Sequence, residues 1–240
     1  MSDNGPKALR LRPAYGLQQP GSGAEKVLSR IVSDALTIAL DLSNVPALTK
    51  LWCYGNQLAE LDLSNVSALT DLRCDRNQLT ELDLSNVPAL TYLDCGYNRL
   101  TELNLSNIPK LTHLRCNKNQ LTELDLSYIP KLTHLRCNRN QLTELDLSNV
   151  PALTYLICWI NQITELDLSN VSALTALYCS KNQLTELDLS NIPKLTDLSC
   201  ENNRIKELDV RGNPQLKYLK CDPRVRIIKH DWQSFERSRY

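Results

Sequence analysis

Apolar residues recur along most of the chain with a period of 21. In the stretch from Leu132 to Ala152 they are Leu132, Leu135, Cys137, Leu142, Leu145, Leu147 and Val150, at unit positions 1, 4, 6, 11, 14, 16 and 19. The pattern also begins at Leu48, Leu69, Leu90, Leu111, Leu153, Leu174 and Leu195, and a truncated ninth copy opens at Leu216. Every cysteine of the chain, at 53, 74, 95, 116, 137, 158, 179, 200 and 221, holds unit position 6. A fixed period of this length marks a stacked-repeat architecture, because one unit cannot bury its own apolar side chains. Each unit divides into two similar halves, LTHLRC and LTELDL. Both alternate apolar and polar residues as a half-buried strand does, and no stretch inside the repeats keeps helical spacing long enough for a helix.

The consensus LxxLxCxxNxLxxLDLSNxP resembles the leucine-rich repeat, specifically the bacterial 21-residue class with nested half-repeats called IRREKO-type. The resemblance covers residues 37–222. It implies a β-rich solenoid, right-handed, with parallel strands stacked along the axis on its concave side. The nested halves suggest a second strand row opposite. With strands about 4.8 Å apart, nine coils make a rod roughly 40 Å long.

The constant polar residues have physical roles in such a frame. Asn56, Asn77, Asn98, Asn119, Asn140, Asn161, Asn182 and Asn203 stand at unit position 9, where the chain must turn. Their amides can bond turn backbone that would otherwise be buried unpaired, and stacked copies form a ladder. Prolines such as Pro88 and Pro130 lack an N–H donor and end the second half. Outside the repeats, residues 1–21 are rich in Pro, Gly and Gln and read as a loosely ordered, flexible segment. Ser22 and Glu25 have capping-box spacing, and Val27, Leu28, Ile31, Val32, Ala35 and Leu36 mark one helical stripe. A helix over 22–36 is therefore expected to cover the apolar end of the first coil. The tail 223–240 offers Ile227, Ile228, Trp232 and Phe235 to close the other end. No secretory signal and no apolar run of about 18 residues is present, so no membrane span is expected.

The regular thiols do not read as chemistry. Disulfides need Cβ atoms about 3.8 Å apart, closer than same-facing residues on adjacent strands. Zinc needs clustered ligands such as C-x₂-C. Position 6 faces inward beside leucine, so the cysteines are expected to be small apolar core residues, and a row of free thiols suits a reducing cytoplasm. The Glu column from Glu60 to Glu207 and the Asp column from Asp62 to Asp209, broken by Asn104, face outward. Stacked carboxylates about 5 Å apart repel by roughly 0.8 kcal/mol per pair even at water's dielectric. Because these sites are copies of one another, they do not supply the two distinct environments that a catalytic pair needs. No metal, cofactor or catalytic constellation is expected.

Positions 3, 5 and 7 point outward from the first half-repeat and vary strongly while the frame hardly changes. The middle copies carry a basic cluster that includes His113, Arg115, His134 and Arg136, flanked by Arg73 and Tyr92 on one side and Tyr155, Trp159 and Tyr178 on the other. Tyr, Trp and Arg are the residues that dominate binding hot spots. These nine residues are the expected partner-binding set. The chain is neutral overall, with 15 basic and 21 acidic residues over 37–215. That balance argues against general nucleic-acid binding. It favours a protein partner with an acidic or mixed patch, bound by a cytoplasmic monomer. Two other readings are an effector delivered into another cell and, with less support, an RNA-binding solenoid.

Overall fold

The computed structural model describes residues 7–10 and 40–236. Strands β1 (Lys7–Arg10), β2 (Leu48–Trp52), β3 (Asp71–Arg73), β4 (Tyr92–Asp94), β5 (His113–Arg115), β6 (His134–Arg136), β7 (Tyr155–Ile157), β8 (Ala176–Tyr178) and β9 (Asp197–Ser199) come first in chain order. They are followed by β10 (Glu207–Asp209), β11 (Tyr218–Lys220) and β12 (Arg226–Ile228). One ten-stranded sheet runs in the order β1 to β9 and then β11, all pairs parallel. Register follows the repeat: Leu51 pairs with Leu72, Leu72 with Leu93, and Leu114 with Leu135. A one-residue slip would turn every position-4 leucine to solvent, so the apolar column locks the pairing.

A single core fills the coils. Leu51, Leu72, Leu93, Leu114, Leu135, Leu156, Leu177 and Leu198 are fully buried, as is each cysteine from Cys53 to Cys179. All nine cysteines are free thiols, and only Cys221, in the truncated last coil, is partly exposed.

Two side-chain ladders tie neighbouring coils together, and a third column fixes a turn within each coil. Asn77 Nδ2 donates to the Cys53 carbonyl one coil back at 2.9 Å and to its own Cys74 carbonyl at 3.0 Å. Its Oδ1 accepts the Leu58 amide at 3.1 Å. The same three bonds recur at Asn98, Asn119, Asn140, Asn161, Asn182 and Asn203. A threonine ladder runs beside the sheet: Thr70 Oγ1 donates to the Thr49 carbonyl at 3.0 Å, and the pattern repeats to Thr196. On the other wall Asp62 Oδ1 accepts the Ser64 amide at 2.9 Å, an Asx turn repeated in every copy. Asn104 makes that bond to Ser106 at 3.0 Å, so the column needs an acceptor there and not a charge.

The residue just before each ladder Asn sits in the left-handed region. Its φ is 67° at Gly55, but the other copies use Arg76, Tyr97, Lys118, Arg139, Ile160, Lys181 and Asn202 at 53–58°. A non-glycine residue there costs roughly 1–2 kcal/mol, most clearly for β-branched Ile160. The turn is held because the amide at this position bonds the next coil, as Arg76 does to the Gly96 carbonyl at 2.9 Å.

The second half-repeat does not form the opposing strand row that its alternation suggests. Among the described residues it enters a ladder only at β10, which pairs with β12. A ladder would set the Glu and Asp columns directly opposite their copies, and like charges across a pair are destabilising. At β10 the opposing residue is Arg226, which ion-pairs with Glu207 at 2.9 Å. The expected helix over 22–36 falls outside the described residues. Within the segment read as flexible, Lys7–Arg10 pairs with β2. In the tail Ile227 and Phe235 pack on the core, but Trp232 is 63% exposed and stacks on His230 instead of closing the coil.

Replacing Asn140 by alanine orphans the Leu121 amide and removes a donor from two cysteine carbonyls. Each carbonyl keeps a second asparagine donor, so the Leu121 amide is the one orphaned group, and Asn140→Ala should lower unfolding stability by ~1–3 kcal/mol in urea denaturation. Asn149→Ala, at an exposed position whose side chain donates only to the Ser148 hydroxyl, should stay within ~0.5 kcal/mol.

Candidate binding face

The concave sheet presents positions 3, 5 and 7 as three parallel columns, because alternate residues of each strand point away from the core. In the position-3 column, aromatic rings stack along the axis: Tyr92 to His113 at 5.7 Å, His113 to His134 at 4.4 Å and His134 to Tyr155 at 5.7 Å. In the next coil position 3 is Ala176, and Tyr178 from position 5 packs against Tyr155 at 5.8 Å, tilted. Tyr178 itself is only 6% exposed, so it forms floor and not a projecting anchor.

The threonine ladder decides the state of the histidines. The single hydroxyl proton of Thr112 goes to the Thr91 carbonyl at 2.9 Å, so its oxygen must accept from His113 Nδ1, also 2.9 Å away. Thr133 and His134 repeat the arrangement. Both imidazoles therefore carry their proton on Nδ1 and present Nε2 as a bare acceptor. Partial burial, with the neighbouring arginines, holds both below the usual histidine pKa. The basic cluster expected from the sequence is thus made of arginine and lysine, with the histidines neutral near pH 7.

The cations of the face lie against rings and carboxylates. Arg73 sits between Trp52 and Tyr92, 4.7 Å from each ring centre, and pairs with Asp71 at 3.1 Å. Arg115 pairs with Asp94 at 3.5 Å, whereas Arg136 has no ion-pair partner among the described residues. A depression of about 650 Å³ opens across the middle coils. It gathers Arg115, Arg136, Tyr155, Trp159 and Tyr178 from the expected set, with Ile157 beside them. Arg73, Tyr92, His113 and His134 share the sheet but lie outside its lining.

Several lining residues were missed by sequence reasoning. Asp75 and Asp94 line it toward the N-terminal side, Asn117 and Asn138 stand beside the arginines on the same two coils, and a buried Ser180–Ser199 hydroxyl pair at 2.8 Å lies toward the C-terminal side. Arg76, Tyr97 and Lys181 reach in from unit position 8. Their column varies as strongly as the other three, which was the available signal. Burial and the neighbouring Asp94 push the Asp75 carboxyl up to about 6.

Elsewhere the chemistry is muted. Burial pushes the Cys53 and Cys158 thiols up to about 12 and the other ladder thiols well above their ordinary value. The convex Asp column is held below the usual carboxylate range by its bonds from serine, as at Asp62 and Asp146. Among the described residues no group of three or more His, Cys, Asp or Glu is arranged to hold a metal ion, and no helix is long and apolar enough to cross a membrane.

This is a parallel β-solenoid whose coils are one repeat each, with a fixed outer wall and a varied inner one. The family model of leucine-rich repeats in two copies matches residues 109–149 and 172–213. The functional domain of InlJ from Listeria monocytogenes, which includes a cysteine ladder, is 44% identical with a TM-score of 0.75. That match covers 76% of this chain and 41% of that one. YopM from Yersinia enterocolitica is 30% identical at a TM-score of 0.58, over 72% of this chain and 42% of that one. A Leptospira interrogans leucine-rich repeat protein, 24% identical at 0.69 over 73% and 49% of the two chains, shares the fold. The chain spans less than half the length of each of these structures. No match is found among curated proteins. The chain belongs to the leucine-rich repeat family, with stacked 21-residue coils like those of bacterial members.

A carboxyl whose native pKa is raised contributes stability that is present at low pH and lost as pH rises through the native value. Asp75→Asn should therefore raise the urea midpoint at pH 7, and the gain should shrink as pH falls through the native value of about 6 and vanish only below the ordinary carboxyl value of 3.8, where Asp75 is protonated in the unfolded chain as well.

Proposed function

We propose that the chain is a non-catalytic interaction module that binds a protein partner through its varied concave face. The supporting observation is the contrast between walls. On the convex side the Asp column is used by the frame, as the Asx turns and the Asn104 replacement demonstrate. On the concave side Arg136, Trp159 and Ile157 line a depression, yet no inter-coil backbone ladder or Asx turn uses their side chains. Leucine-rich repeat chains are in general interaction scaffolds, which agrees with this reading. A preformed parallel sheet presents such residues at little entropic cost on binding.

The face is electrically mixed: Arg115 and Arg136 lie between the Asp75–Asp94 pair and Glu201, itself paired with Lys220 at 3.0 Å. A partner with an acidic or mixed patch complements it. The reading places the protein in the cytoplasm as a monomer, where the partly exposed Cys221 thiol stays reduced.

The test is affinity capture of protein partners with the unaltered chain and two charge-reversed variants. Arg115→Glu/Arg136→Glu should reduce recovery about tenfold or more, as loss of interface anchors does. Glu123→Lys/Glu144→Lys on the convex wall should leave it unchanged. Equal losses in the two variants would reject the concave face.

A further inference from the structure

Coils 4 and 5, which begin at Leu111 and Leu132, carry nearly the same outward residues. Their four cations lean away from one another. Lys118 Nζ lies 4.1 Å from the Tyr97 ring centre and Arg115 lies 5.6 Å from that of Tyr92, both rings on the coil before. Arg136 lies 5.4 Å from the Tyr155 ring and Arg139 4.8 Å from the Trp159 ring, both on the coil after. Adjacent strands are only about 4.8 Å apart, a spacing at which like charges would repel, and each ring face supplies a partial counter-charge to the cation that leans on it. Lys118, Arg136 and Arg139 have no carboxylate within ion-pairing distance among the described residues. The space between the two splayed rows is flanked by Asn117 and Asn138, which line the depression, and by the stacked His113 and His134 of the same two coils, outside that lining.

We propose that this gap is an acceptor for a carboxylate side chain, presented by an extended acidic segment of the protein partner laid along the solenoid axis. The proposal rests on the concave face being the docking surface and adds the chemistry of what docks. A carboxylate between the rows supplies the counter-charge that Lys118, Arg136 and Arg139 lack and draws the guanidinium groups off their rings. The freed faces of Tyr97 and Trp159 then receive apolar side chains on either side. The walls on coils 3 and 6 are three strand steps apart, roughly 14 Å, and an extended chain advances about 3.3 Å per residue. Apolar residues about four positions apart, with acids between them, fit both walls at once.

The length of the basic zone favours a short acidic peptide over a nucleic acid. Asp71, Asp75 and Asp94 stand on coils 2 and 3, and Asp197 and Glu201 stand on coil 8. A phosphate chain following the groove would meet carboxylates at both ends, whereas nucleic-acid affinity grows with each further phosphate neutralised.

The experiment is calorimetric titration of the full chain with acetyl-Phe-Asp-Glu-Asp-Phe-amide, with acetyl-Phe-Asn-Gln-Asn-Phe-amide and with decauridylate. The acidic peptide should bind saturably and about tenfold or more tighter than its amide counterpart, and Arg136→Gln/Arg139→Gln should remove that preference. In a Trp52→Phe/Trp232→Phe background, with Trp159 as sole fluorophore, the acidic peptide should change its emission as Arg139 leaves the ring. Equal affinity for the two peptides, no saturation by about 1 mM, or an unchanged preference in the arginine variant overturns the proposal. Tighter binding of decauridylate, lost in the same variant, replaces it with an RNA site. If the peptides fail while capture of a protein partner still depends on Arg115 and Arg136, the docking face stands and only this chemistry falls.

Discussion

The asparagine ladder is the constraint on which the rest of the structure depends. A 21-residue coil has too little interior to hold itself together, so its stability lies in what it shares with its neighbours. At unit position 9 one side chain satisfies two carbonyls and one amide drawn from two coils, at a buried corner where water cannot substitute. That corner also forces the preceding residue into the left-handed region, a strain the copies accept with arginine, tyrosine, lysine and even isoleucine. The cysteine fits the same corner. Its carbonyl feeds two ladder asparagines while its small, fully buried side chain fills the space beneath.

Because the ladder, the leucines and the Asx turns fix the coil, the concave residues are released from structural duty. The chain uses that freedom unevenly. The first coils mix aromatics with aspartates, the two central coils are cationic, and the following ones are apolar and then polar. Charge and ring stacking both change along the axis within a few strand spacings. A partner therefore meets a graded surface with one strongly basic step, held on a sheet that does not need to rearrange.

Much of the fold was legible in the residues alone, because a repeat multiplies each signal. One cysteine beside leucine is ambiguous, but nine at identical spacing can only be equivalent, and inward is the one direction that suits all of them. The turn role of Asn77 and its copies was legible for the same reason. The second strand row was not, since alternation reports which side chains are buried and does not report whether backbone meets backbone. A ladder there would set glutamate against glutamate, and at the one such ladder among the described residues Glu207 faces Arg226 instead. Of the candidate site, Arg115, Arg136, Tyr155 and Trp159 could be placed from alternation alone. The Nδ1–H form of His113 and His134 could not, because it depends on where the Thr112 and Thr133 hydroxyl protons already go. Trp232 was misplaced because an apolar tail residue has no period to say which way it faces.

The most direct test of the account is hydrogen exchange at the unit-position-11 amides, Leu58, Leu79, Leu100, Leu121 and Leu142, whose acceptor is an asparagine side chain of the next coil. If the ladder holds the stack, these amides should exchange as slowly as those of the central strands, opening only with global unfolding. Exchange at the rate of exposed turn amides would show that the coils stack without it.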